Sequence, residues 1–286
     1  MKREFIELSL SEKEAERIAW ELFGIKGKAQ SLPGEIDMNF KIEALDGNAY
    51  VLKVSRPETT VEYLQFQQEL LQHLETCDTE LEHPRAMPDR DGLLVSPYEI
   101  NSGVRHVRLL GWVPGRMYSQ VNPQTDALRL SLGRVCGRIT SALKSFEHKE
   151  GQRRLDWDIA QGEWTVGHLE LFPSIRSKTI RYFLERFESH RQSYALLRKS
   201  MVHNDANDNN ILVSENLAHP SVVTTIDFGD TIYTQIVNDL AVACAYAAMN
   251  LNDPLQGILP VIRGLSLIHI SEPTRRRDSS RMPSSA

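Results

Sequence analysis

The stretch MVHNDANDNNILV, residues 201–213, sets one histidine, two aspartates and four asparagines between apolar runs, and TTIDFGD, residues 224–230, follows it closely. A polar loop of this kind is ordinary. A loop that enters the strand-like Ile-Leu-Val and is answered by a second strand ending in aspartate is less so, because a short hairpin then aims Asp205, Asn210 and Asp227 at one point. Transfer of a phosphoryl group to an alcohol needs such a set: a carboxylate to orient the hydroxyl, and further oxygens to hold magnesium on the phosphates. Asp205 is the expected base. Asn210 and Asp227 are the expected metal ligands.

Composition excludes several alternatives. The 286 residues are 41% hydrophobic and 25% charged, ordinary for a globular protein and long enough for two lobes. A net charge of −5 offers no basic stripe for nucleic acid. The longest apolar run, LAVACAYAAM, is too short for a membrane span, and the charged N-terminus is no signal peptide, so a cytoplasmic location is expected. Cys77, Cys136 and Cys244 lack the spacing of a disulfide framework or a zinc site.

Residues 28–55 alternate apolar and polar around the turn Asp46-Gly47-Asn48, which predicts a small antiparallel sheet. From Glu58 the sequence turns helical, with a stripe of Leu64, Leu71 and Leu74 and a capping-type threonine pair before that stripe. Strand character returns in GLLVSPYEI and HVRLLGWV, and beyond Pro114 the chain turns helical, with Leu132, Val135, Ile139, Leu143 and Phe146 at helical spacing. The expected organisation is a sheet lobe over 1–113, a helical lobe over 114–264, and a tail over 265–286. That tail, LSLIHISEPTRRRDSSRMPSSA, resembles the translated read-through of a sequencing adapter and is expected to be non-native or a disordered extension.

The spacing His203, Asp205, Asn210, then Asp227 and Asp230, resembles the HxDxxxxN and IDxxD motifs of the aminoglycoside phosphotransferase-like kinases. The resemblance implies an α+β, bilobal protein-kinase-like fold, with a small antiparallel-sheet N-lobe and a mainly helical C-lobe. It assigns nucleotide phosphates to Lys53 in YVLKV, although a strand lysine by itself is most often a solvated edge charge. Gly34 falls where the family's phosphate-covering loop lies, and a plain hairpin turn is an equal reading. The backbone of Leu110, Gly111 and Trp112 falls at the family's purine-binding hinge. One departure stands out: kinases pair the strand lysine with a glutamate on the next helix, whereas here Gln67 has the inward position and Glu62 and Glu69 face away.

NDANDNN, IDFGD, the Asp37–Phe40 pattern, VRLLGWVPG and FEHKEGQRRLDWD narrow the resemblance to the hydroxylysine kinase branch, including the homologous domain fused to class III aminotransferases, from about residue 20 to Gly264. It implies magnesium, GTP or ATP as donor, and a small amino alcohol such as hydroxylysine as acceptor. It also implies a chain that continues past Gly264, truncated here, with a covalent fusion partner as one continuation. Trp157, Asp158 and Asp208 are candidates for the substrate ammonium; a Trp-Asp pair after a helix is more often packing plus a cap, and Asp208 reads equally as solvent-facing. Asp239 reads as an N-cap tying its helix to the catalytic loop; Asp230 either braces the metal site or ends the turn. The other readings are a non-catalytic nucleotide- or amine-binding domain and a protein kinase, which would need the HRD and APE wording that is lacking here.

Overall fold

The computed structural model describes residues 10–271 except 35, 78–80 and 101–102. Helix α1 (Glu12–Phe23) opens with a capping box between Ser11 and Glu14 and ends at Gly24 in the left-handed region. Its apolar stripe of Ala15, Ile18 and Ala19 covers one face of a six-stranded antiparallel sheet. The strands are β1 (Gly27–Leu32), β2 (Met38–Ala44), β3 (Ala49–Val54), β4 (Ala86–Met87), β5 (Ser96–Ile100) and β6 (Gly103–Gly111). They run in the order β1-β2-β3-β6-β4, with β5 also paired to β6.

Alternation divides the labour of this sheet. Phe40, Ile42, Leu52, Val54, Val107 and Leu109 point to α1, and burying each contributes about 1.5–3 kcal/mol. On the opposite face Asn39, Lys53 and Arg108 stand in one cross-strand row, since β2 pairs Asn39 with Lys53 and β3 pairs Lys53 with Arg108. Helix α2 (Val61–Thr76), capped by Thr60, lies on that side and buries Leu64, Gln67, Leu71 and Leu74 as its stripe requires.

The loop after β6 is not featureless: β7 (Arg116–Met117) joins a three-stranded sheet with β9 (Ile211–Val213) and β10 (Val222–Thr225), while β8 (Lys199–Val202) pairs with β11 (Ile232–Gln235). Helix α3 (Asp126–Leu143) packs on β8 and β10, α4 (Ser174–Ala195) lies against the segment Ile159–Leu171, and α5 (Val237–Ala248) and α6 (Pro254–Ser271) pack on α3 and on each other. The expected α3 stripe is buried throughout. Close helix approach uses glycine, because a Cβ at Gly133 would strike the α6 backbone at Val261 and one at Gly264 would strike α3 at Leu130. Helix α6 runs through Gly264 to Ser271, across the boundary expected at 264–265; 272–286 lie outside the described residues. Among the described residues no helix is long and apolar enough to cross a membrane.

Candidate active site

The loop between β8 and β9 and the segment between β10 and β11 are stitched together at both ends. Ile226 N–H donates to Asn210 O at 2.8 Å, and His203 Nε2 meets Ile226 O at 3.0 Å. Because His203 Nδ1 accepts from Asp205 N–H at 3.3 Å, the network assigns the ring proton to Nε2. Phe228 packs edge-on against the same ring. Two non-glycine residues hold left-handed backbone here, Asn204 (φ 66°) and Asp227 (φ 60°), the kind of local strain a site retains when surrounding contacts enforce it.

Asp205 is gripped by two amides. Asn207 Nδ2 donates to both carboxylate oxygens at 2.9 and 3.0 Å, and Asn210 Nδ2 donates to Oδ2 at 2.7 Å. A carboxylate offers about four lone-pair sites, so three are taken and one is left for a hydroxyl. Burial pushes the Asp205 carboxyl above its ordinary value and the Asp227 charge adds to that, against the pull of Asn207, His203 and Asn210. The Asn210 amide nitrogen is committed to Asp205, which turns its Oδ1 into a free oxygen donor. Asp227 is held below the ordinary carboxylate range by the Lys53 ammonium, 3.7 Å away. Asp230 is pushed up to about 6 by burial and then by the Asp205 and Asp227 charges. The predicted residues therefore form one charge cluster.

Its supports differ from the sequence reading in three places. Asp239 does tie α5 to the loop, accepting from Asn204 N–H at 3.0 Å and Thr140 Oγ1 at 3.1 Å, but it is not an N-cap: α5 starts at Val237 and its cap position, Ile236, makes no side-chain bond. Gln67 does not reach Lys53. Its Oε1 accepts from Arg108 at 2.6 Å, and the carboxylate near Lys53, besides Asp227, is Asp37 at 3.8 Å. In the hinge, Gly111 N–H is given to Arg85 O and Trp112 N–H to Ala49 O, so two of the expected purine donors are spent on the sheet. Gly34 is required by close approach: a Cβ there would fall against the Asn39 side chain and the Asp37 carbonyl.

The substrate candidates differ in burial. Asp158 is buried, accepting from Thr234 Oγ1, Asn238 Nδ2 and Ala160 N–H, so it caps the segment that follows and ties it to α5 and β11. Trp157 is 64% exposed. Asp208 lies half-buried beside the cluster, its carbonyl accepting from Ser119 N–H, and its charge together with that of Asp205 is felt by Tyr246. Two supports escaped the sequence reading. Arg153 donates to the carbonyls of Gly229 (2.6 Å), Thr231 (2.7 Å) and Glu150 (3.0 Å) and stacks on Tyr63 and Phe66; Tyr63 Oη also donates to Gly229 O at 2.7 Å. Together they clamp the Asp227–Asp230 turn to α2. The only sequence signal was the presence of Arg153 inside FEHKEGQRRLDWD.

Asn210 Oδ1 and the Asp227 carboxylate are hard oxygen donors of the kind magnesium takes, since that ion is usually held by one or two carboxylates plus substrate phosphates.

Residues 29–259 match the Phosphotransferase enzyme family. The chain is 26% identical over 273 residues to the hydroxylysine kinase of Mus musculus, covering 86% of this chain and 71% of that one. It is 25% identical over 297 residues to the hydroxylysine kinase of Bos taurus, covering 94% and 77%. Among solved structures, it is similar to amicoumacin kinase hAmiN in complex with AMP-PNP, Ca2+ and Ami, with a TM-score of 0.67 at 17% identity over 90% of this chain and 78% of that one. It is also similar to a microcompartment-associated aminopropanol kinase, with a TM-score of 0.61 at 18% identity over 88% and 80%. At such identities the likeness is one of fold, bilobal and kinase-like.

Proposed function

Because the chain belongs to the phosphotransferase enzyme family, with an alcohol group as acceptor, we propose that it moves the terminal phosphoryl group of GTP or ATP to the hydroxyl of a small amino alcohol, hydroxylysine first among them. The observation that carries the reading is the Asp205 carboxylate, fixed by Asn207 and Asn210 with one lone-pair site open, beside a second carboxylate paired to a strand lysine. Asn210 Oδ1 and Asp227 would hold magnesium, which when bound supplies charge neutralisation for the phosphate oxygens.

The chain's own residues do the positioning. Asp205 orients the acceptor hydroxyl and takes its proton as the new P–O bond forms. Burial favours the neutral carboxyl, so the acid that results is well tolerated in this site. Lys53 faces the phosphates from the sheet, and Gly34 gives the β1–β2 turn its close fold over them. With Gly111 and Trp112 spent, the hinge donor to a purine falls to Val113, since Pro114 has no N–H. Asp208 is the carboxylate placed for the acceptor's ammonium. The three free cysteines fit a reducing cytoplasm.

The test is magnesium-dependent consumption of GTP and of ATP in the presence of hydroxylysine, ethanolamine, homoserine or choline. Stimulation by one amine, strongest with hydroxylysine, is the expected result. Nucleotide binding with no stimulation by any of the four would overturn the amino-alcohol reading in favour of a non-catalytic binding domain or another acceptor class.

A further inference from the structure

The kinase-type ion pair has been rebuilt in this chain. Lys53 and Arg108 are direct cross-strand partners on the same face of the sheet, and two cations so placed repel one another. The Asp37 Oδ2 atom lies between them. It takes an ion pair from Arg108 Nη2 and stands 3.8 Å from Lys53 Nζ. Arg108 is 1% exposed, and its other terminal nitrogen donates to Gln67 Oε1 on α2. Lys53 stands at 3.8 Å from Asp37 and 3.7 Å from Asp227, outside hydrogen-bond distance of both. Its ammonium is aimed by two carboxylates and bound by neither.

We infer that Arg108 is a positioning residue for nucleotide binding: by holding Asp37 against Gln67 it keeps that carboxylate from closing on Lys53, whose donors stay free for phosphate oxygens. The inference rests on the reading of Lys53 as the phosphate-binding lysine. Its logic is competition. A carboxylate released beside an ammonium in a half-buried site forms a charge-assisted hydrogen bond with it, and a phosphate must then displace that bond. The neutral amide at position 67 belongs to the same device. A glutamate there would claim Arg108 for itself and free Asp37 for the lysine. Asp37 also lies in the turn that follows Gly34, and Asn39 Nδ2 donates to Pro33 O at 3.2 Å, so the turn over the phosphates and the lysine beneath it share one anchor.

The experiment measures binding of a fluorescent magnesium nucleotide, which needs no acceptor, alongside thermal unfolding to establish that each variant is folded. Gln67→Glu, nearly isosteric, and Arg108→Met are each expected to raise the nucleotide Kd about tenfold, the size of one lost charge-assisted bond. In turnover assays the nucleotide KM should rise with kcat little changed. The deciding variant is the double one, Arg108→Met with Asp37→Asn, which removes both the restraint and the carboxylate it restrains. It should bind nucleotide more tightly than Arg108→Met alone, whereas a merely structural arginine predicts additive loss. Additive loss, or folded Gln67→Glu and Arg108→Met proteins with unchanged Kd, would overturn the role of Arg108 while leaving Lys53 in place. Lys53→Met is the control for the underlying reading: if it binds nucleotide as well as the unaltered chain does, both the reading and the inference fail.

Discussion

Two segments of the helical side of the molecule carry similar polar and aromatic residues and use them in opposite ways. Between His203 and Asp230 the polar groups are tied down locally: the Asn207 and Asn210 side chains on Asp205, His203 on Ile226 O, and Asn204 N–H on Asp239 of α5. Between Asp156 and Ala195 the aromatic and aliphatic residues Trp157, Leu171, Ile175 and Phe183 face outward, and α4 buries none of its side chains. A carboxylate that must act at a fixed point is preorganised by donors that do not move. The contrast supports the proposal that the chemistry belongs to the first segment. In the second, the carboxylate at 158 is buried too, but its partners Thr234 and Asn238 make it a tie between segments.

The contrast can be broken most directly at Asp205. Asp205→Asn keeps the shape of the side chain and removes its ability to take a proton, so kcat should fall by about 10²–10⁴-fold, the range for loss of a general base. Nucleotide affinity should stay close to that of the unaltered chain. Single-turnover phosphoryl transfer together with nucleotide titration checks both halves, and surviving turnover would show that Asp205 is not the base. Asp158→Ala should fail in the opposite manner. It leaves Thr234, Asn238 and the Ala160 N–H without their buried acceptor, so the chain should lose about 2–4 kcal/mol by urea unfolding, while the protein that remains folded keeps its nucleotide affinity. A stable Asp158→Ala protein with impaired acceptor KM would return Asp158 to the substrate site.

Local pattern carried much of the architecture. The β2–β3 hairpin was legible because alternation and Asp46-Gly47-Asn48 agree, and Gly47 does take φ 88°. A capping threonine ahead of the helix was legible from residue type, and the inward place of Gln67 from helical spacing. Helix α1 went unread although Ser11 and Glu14 spell its capping box. What escaped was long-range. Arg108, between apolar neighbours, gives no sign that a charged residue on a central strand is buried, because burial there depends on Asp37 and Gln67 arriving from elsewhere in the chain. The cap reading of Asp239 was sound by propensity and lost to partners 35 and 99 residues away. Hinge donors can be counted only once the strand pairing of Ala49 and the contact with Arg85 are known.

Trp157 gives the smallest effect and the finest discrimination. At 64% exposure, beside a buried Asp158, it is either surface that happens to be aromatic or a face offered to the substrate's ammonium. Cation–π contact at an exposed ring contributes only about 0.5–1 kcal/mol, so contact with substrate would still show as a few-fold rise in acceptor KM on Trp157→Ala. The geometry favours the former: Asp158 is engaged by Thr234, Asn238 and the Ala160 N–H, and Trp157 has no recorded contact with the carboxylate cluster. Trp157→Ala is therefore expected to change stability by less than about 0.5 kcal/mol and to leave acceptor KM unchanged. A selective rise in acceptor KM, with nucleotide KM and unfolding unaltered, would extend the active site into the 156–195 segment and erase the division between the two regions.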